Sequence, residues 1–155
     1  MVQEEDNMHT YTRLLYQIIF HTKRNEKTLL KANREEMYSY MASIINNQKS
    51  FTYEIGGTSN HVHIITRIHP TIVISNLVKD IKLSTSKMIK SRNLFPHFEG
   101  WQQGYSIFSY SLNELETLIN YARNQEQHHK TESSRDEYKR FLDQHEVEYD
   151  EKYLF

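Results

Sequence analysis

The sequence predicts an α+β domain of the ferredoxin-like (RRM-like) type: a four-stranded antiparallel sheet in β-α-β-β-α-β order, followed by additional C-terminal helices. Three observations predict it. Four short segments rich in β-branched and aromatic residues alternate with stretches whose apolar residues recur at helical spacing. The middle two segments flank a Gly-Gly-Thr-Ser-Asn run at 56–60, which reads as the turn of a hairpin. At 155 residues the chain has the length of one domain with its own core.

In chain order, residues 11–21 (YTRLLYQIIFH) read as the first strand. Leu30, Met37, Tyr40, Met41, Ile44 and Ile45 lie near helical spacing and predict a helix over 31–47. FTYEI at 51–55, ended by Gly56 and Gly57, is the second strand, and HVHIITRI at 61–68 the third. Pro70 stops that strand. Ile74, Leu77, Val78, Ile81, Met88 and Ile89 support a second helix over 74–91. Gly100 and Gly104 bracket a loop holding the only tryptophan, Trp101, before a fourth strand, YSIFSY, at 105–110. Leu112, Leu115, Leu118, Ile119 and Ala122 predict a helix over 113–128. A charged helix at 133–144 and an irregular tail follow. The helices are expected on one face of the sheet. A single domain spans 1–155, with 1–9 flexible and 131–155 a charged helix and tail solvated at the surface.

Composition excludes some classes. There is no cysteine, so disulfides and thiolate metal sites are ruled out. The first residues are acidic and polar, the reverse of a secretory signal, and no apolar run approaches the ~18 residues that span a bilayer. A cytoplasmic protein is expected. The net charge of −1 conceals a gradient: residues 10–130 hold 15 Lys/Arg against 9 Asp/Glu, and residues 131–155 hold 4 against 8. The central block is mildly basic and the ends acidic, so overall charge says little about nucleic acid.

Two constellations could carry chemistry. On a strand, residues i and i+2 share a side, so His61 and His63 face one space and could bind a single transition-metal ion. The pattern is short, and two polar residues on a solvated strand face would also produce it. On a helix, Tyr121 and Gln125 lie one turn apart on one face. A phenol has an ordinary pKa near ~10, so a tyrosine nucleophile needs help, which a cation neutralising the attacked phosphate would give. Gln125 offers a neutral oxygen as a third ligand. With 11 tyrosines in the chain, spacing alone equally allows Tyr121 to be core beside Leu118 and Ile119.

Taken together, these segments resemble one family: the small single-tyrosine HUH transposases of bacterial and archaeal insertion sequences. The resemblance runs from about Thr10 to Phe155, through YTRLLYQIIFHTK, the HVHII strand, LVKDIKLSTSKMI, WQQGYSIFSYS, NYARNQEQHH and the closing EYKRFL and VEYDEKYLF. It implies that His61, His63 and Gln125 hold a divalent cation, Mg2+ or Mn2+. It implies that Tyr121 attacks a phosphodiester, forming a 5′-phosphotyrosine link and freeing a 3′-hydroxyl. It implies a homodimer, with a tyrosine of one subunit able to complete the other's site, acting on hairpins of single-stranded DNA at element ends. The family often has an aspartate where this chain has Asn60, which bears on the tuning of the site rather than on its ligands.

Other residues admit two readings. Lys79, Lys82, Lys87, Lys90 and Arg92 put cations on the second helix, either for a DNA backbone or as a solvated face. His128 and His129 are placed at the end of the tyrosine helix, where a cation suits the dipole, more readily than at the metal. Trp101 and Tyr105 either stack on unpaired bases or are buried. Two alternatives to the transposase stay open: a module that holds single-stranded nucleic acid without cutting it, and a domesticated endonuclease that no longer moves its own element. The lack of an RNP-like aromatic block on a central strand weighs against the first.

Overall fold

A computed structural model of the chain describes residues 9–154. The strands are β1 (Leu15–His21), β2 (Phe51–Gly57), β3 (His61–Arg67) and β4 (Ser106–Tyr110). The helices are α1 (Arg34–Asn46), α2 (Ile74–Arg92), α3 (Leu115–Arg123), α4 (Gln125–His128) and α5 (Ser134–Gln144). The sheet runs β2-β3-β1-β4 with every neighbour antiparallel, the ferredoxin-like arrangement. Of the expected flexible stretch 1–9, residues 1–8 lie outside the described residues.

Alternation along the strands builds two cores. Ile18, Phe20, Val62 and Ile64 point to one side, against Met37, Met41 and Ile45 of α1 and Leu77, Val78 and Ile81 of α2. Leu15, Ile19, Ile65 and Phe108 point to the other, against Leu118 and Ala122 of α3 and Phe141 and Leu142 of α5. The sheet is thus covered on both faces, and the sequence expectation of helices on one face is corrected. The two crossover helices do share a face, and the added C-terminal helices cover the opposite one. This double cover buries every residue of β3, the polar His61, His63, Thr66 and Arg67 included.

Three boundaries also differ from expectation. The first strand begins at Leu15, not at 11, because Leu15 already meets the last residues of its neighbours, Arg67 and Tyr110. The second strand continues through both glycines, which pair with Val62 and His63, so the turn is Thr58, Ser59 and Asn60. The helix expected over 113–128 is two helices. Asn124 leaves helical geometry (φ −102°, ψ 26°) between α3 and α4, and a 3-10 turn at Leu112–Glu114 precedes them. α5 is not the solvated surface helix expected either. Its charged sequence hides an inner stripe of Glu137, Phe141 and Leu142, all buried, and Ser133 caps its start by accepting from the Asp136 amide.

Candidate metal and tyrosine site

His61 and His63 project from β3 toward the α3–α5 layer, and both are fully buried. Each ring is oriented by a hydrogen bond to its outer nitrogen. Gln17 of β1 donates its amide N–H to the Tyr110 hydroxyl at 2.9 Å, which turns its oxygen toward His63 Nδ1 at 2.7 Å. His63 Nδ1 therefore donates to Gln17, and its Nε2 faces inward. His61 Nδ1 is 2.8 Å from Asn60 Oδ1 and 3.0 Å from Thr58 Oγ1, while the Thr58 hydroxyl itself bonds Asn60 Oδ1 at 3.1 Å. Burial, then the proximity of His63, pushes the His61 pKa down to about 3, so the ring is neutral and its Nε2 is a bare acceptor.

Across from the histidines, α3 lies unusually close to β2. A Cβ on Gly56 would fall 1.7 Å from the Ala122 carbonyl oxygen, so only glycine admits the helix there. That approach brings Tyr121 and Gln125 over β3. Gln125 is fully buried. Its amide N–H donates to the Tyr121 carbonyl at 3.3 Å and to Glu137 Oε2 at 3.2 Å, which directs Oε1 to 2.9 Å from both His61 Nε2 and His129 Nε2.

Glu137, from α5, occupies the centre. Its Oε1 is 2.9 Å from His63 Nε2 and 3.6 Å from His61 Nε2, and its Oε2 is 3.2 Å from His129 Nε2. Burial works against its charge, but His63 and His129 prevail and hold the carboxyl well below the usual range. The Tyr121 hydroxyl donates to Glu137 Oε2, lies 3.0 Å from His128 Nε2 and accepts from Arg140 at 2.8 Å. Arg140 is braced in turn by Glu132. Burial first and the Glu137 charge second hold the phenol well above its ordinary pKa, with Arg140 pulling the other way.

The donor chemistry fits a cation. His61 Nε2 and Gln125 Oε1 are both acceptors, yet they face each other at 2.9 Å. Two lone pairs at that separation in a buried site repel unless positive charge lies near both. Outer hydrogen bonds that fix the tautomer and aim the free nitrogen inward are also what metal-ligating histidines carry.

The residues singled out from the sequence separate into two groups. His61, His63, Tyr121 and Gln125 converge. The α2 cations do not, because α2 packs on the other face of the sheet. Lys79, Lys87 and Lys90 are exposed there, Lys82 donates to the Gln102 and Gly104 carbonyls at 2.8 and 2.7 Å, and Arg92 pairs with Glu36 at 2.8 Å. Trp101 is wedged edge-on between Phe20 and Phe98, and Tyr105 packs against the same core, so neither is a free stacking platform. His128 and His129 do end the helix, as expected, yet their Nε2 atoms turn inward to Tyr121 and Glu137. Gln17, Glu137 and Arg140 escaped sequence reasoning. Gln17 alone left a signal, as the one amide in an otherwise apolar strand. Beside His129 opens a polar cavity of about 580 Å3, lined in part by Lys27, Arg34, Asn60, Lys130 and Ser134.

Fold and site together define a ferredoxin-like protein with a buried imidazole–carboxylate centre against a tyrosine. The chain belongs to the IS200-like transposase family, whose model matches residues 10–125. This is a family of DNA-cleaving enzymes of transposition. Among curated proteins none matches the sequence. Two solved structures share the fold. One is a candidate transposase from Deinococcus radiodurans R1, 20% identical, with a TM-score of 0.59 over 76% of this chain and 94% of that one. The other is a REP-associated tyrosine transposase bound to a REP hairpin, 11% identical, with a TM-score of 0.55 over 74% of this chain and 67% of that one. No helix among the described residues is long and apolar enough to cross a membrane.

Proposed function

We propose that the protein is a cytoplasmic transposase that cuts and rejoins single-stranded DNA at hairpin-bearing element ends through a 5′-phosphotyrosine intermediate. Its metal ligands in this reading are His61, His63 and Gln125, its ion Mg2+ or Mn2+, and its nucleophile Tyr121. One observation carries it: the Tyr121 hydroxyl bonds one oxygen of Glu137 while the other oxygen lies 2.9 Å from His63 Nε2. A bound cation would supply charge neutralisation at the scissile phosphate.

The protein's own residues supply the rest. Gln17 and Asn60 turn the two imidazoles so that both Nε2 atoms face the centre. Arg140, which donates to the Tyr121 oxygen, stabilises the phenolate as its proton passes to solvent. The Tyr121 oxygen attacks phosphorus, the bond to the 3′-oxygen breaks, and that oxygen leaves as a hydroxyl with a proton from solvent. The reverse attack by a 3′-hydroxyl rejoins DNA and conserves the bond. Lys27 and Lys130, beside the cavity near His129, give the strand a cationic seat. Lys79, Lys87 and Lys90 we assign to backbone contacts with the hairpin stem, away from the scissile phosphate. The likeness to a hairpin-bound relative supports the substrate, and we propose a homodimer in which each tyrosine serves its own subunit's histidines.

The test is a covalent adduct. Incubated with Mn2+ and labelled single-stranded hairpin DNA, the protein should form a denaturation-resistant protein–DNA species, and Tyr121→Phe should form none while still binding. Wild type that binds but never links would make this a binding module. A Phe variant that still links would remove Tyr121 as nucleophile.

A further inference from the structure

We propose that Glu137 and His129 are metal ligands alongside His61 and His63, so that α5 closes the centre with a carboxylate and the ion selected is a first-row transition cation rather than magnesium. This extends the ligand set of the proposed function and rests on that reading.

The ligand atoms of His61, His63, His129 and Glu137 all lie within 4.8 Å of one another. A cation bonded at about 2.1 Å sets neighbouring ligand atoms roughly 3.0 to 3.5 Å apart. The contacts here, 2.9 Å for Glu137 with His63, 3.6 Å with His61 and 3.2 Å with His129, sit around that span. The Gln125 oxygen, 2.9 Å from His61 and His129, belongs to the same cluster. One ion among these atoms would meet three nitrogens and two oxygens.

Charge points the same way. A divalent ion held only by His61, His63 and Gln125 would be buried among neutral donors, which is costly without a counter-charge. Glu137 is the carboxylate that reaches the centre, 1% exposed, and it supplies that counter-charge. Nothing about surface solvation accounts for an acid in that position. The nitrogen majority then decides the metal: imidazoles suit iron, zinc and the other first-row cations, of which manganese is the weakest binder, whereas magnesium favours oxygen ligands, demands octahedral geometry and keeps its waters. His129, only partly buried, lines the 580 Å3 cavity, which leaves that side of the centre open to a phosphate oxygen.

Ion binding by the full chain, stripped with chelator, tests this without any DNA. Mn2+ is followed by the loss of its free-ion electron paramagnetic resonance signal, with Mg2+ as competitor, and Co2+ by its visible spectrum. Wild type should take one Mn2+ per chain and prefer it to Mg2+ by more than about tenfold. Glu137→Gln and His129→Ala should each weaken Mn2+ by more than about tenfold and shift the Co2+ bands. If both variants bind Mn2+ as wild type does while His61→Ala does not, the inference is overturned and the three-residue site of the proposed function stands. Equal affinity for Mg2+ and Mn2+ overturns the selectivity, and a wild-type chain that binds no ion overturns the whole. The adduct assay then reports separately on strand cleavage. Should Glu137→Gln lose its circular dichroism spectrum, His129→Ala decides alone.

Discussion

At the scale of residues, the site depends on side chains behind the cluster of His61, His63, Gln125 and Glu137. Gln17 and Asn60 each fix the outer nitrogen of one imidazole. Replacing either with Ala should weaken metal binding by about 10- to 100-fold by calorimetry, with the fold intact by circular dichroism. Asn60→Asp keeps an acceptor oxygen and should retain wild-type affinity. That result would mean that the Asn60 amide oxygen, 2.8 Å from His61 Nδ1, does the orienting work of the aspartate the family often carries. Gly56 is constrained by space rather than by its dihedral angles. A methyl there meets backbone at 1.7 Å, and Gly56→Ala should cost about 3 kcal/mol in denaturant unfolding, displacing α3. The His pair and the Tyr121–Gln125 pair were legible because i,i+2 and i,i+4 spacings have fixed geometric meaning. Gln17 and Glu137 were not, because the register that brings a β1 amide beside His63, or an α5 acid beneath it, is set by tertiary packing.

At the scale of elements, the four strands and the crossover helices followed from periodicity, and their errors are local. Helix 113–128 was misjudged because the apolar spacing ends at Ala122, and nothing in the polar run 123–128 marks the break at Asn124. α5 was misjudged because its composition is dominated by charge, while Glu137, Tyr138, Phe141 and Leu142 meet the sheet face. Phe141 packs against Phe108 and Tyr121, with ring centres 5.9 and 5.7 Å away. Phe141→Ala should therefore cost about 3 to 5 kcal/mol in denaturant unfolding, more than any exposed substitution on the same helix.

At the scale of the molecule, one chain already brings tyrosine, histidines and carboxylate together, so the proposed centre is complete without a second copy. Mixing Tyr121→Phe with His61→Ala protein should give no covalent adduct, and recovery of adduct in the mixture would mean that subunits exchange tyrosines. The same arrangement gives the kink at Asn124 a mechanical consequence. In the proposed reaction a strand linked to Tyr121 would load α3, whereas Gln125 and His129 belong to the separate turn beyond the kink. Tension on captured DNA would then be taken up at that joint before it reached Gln125 and His129.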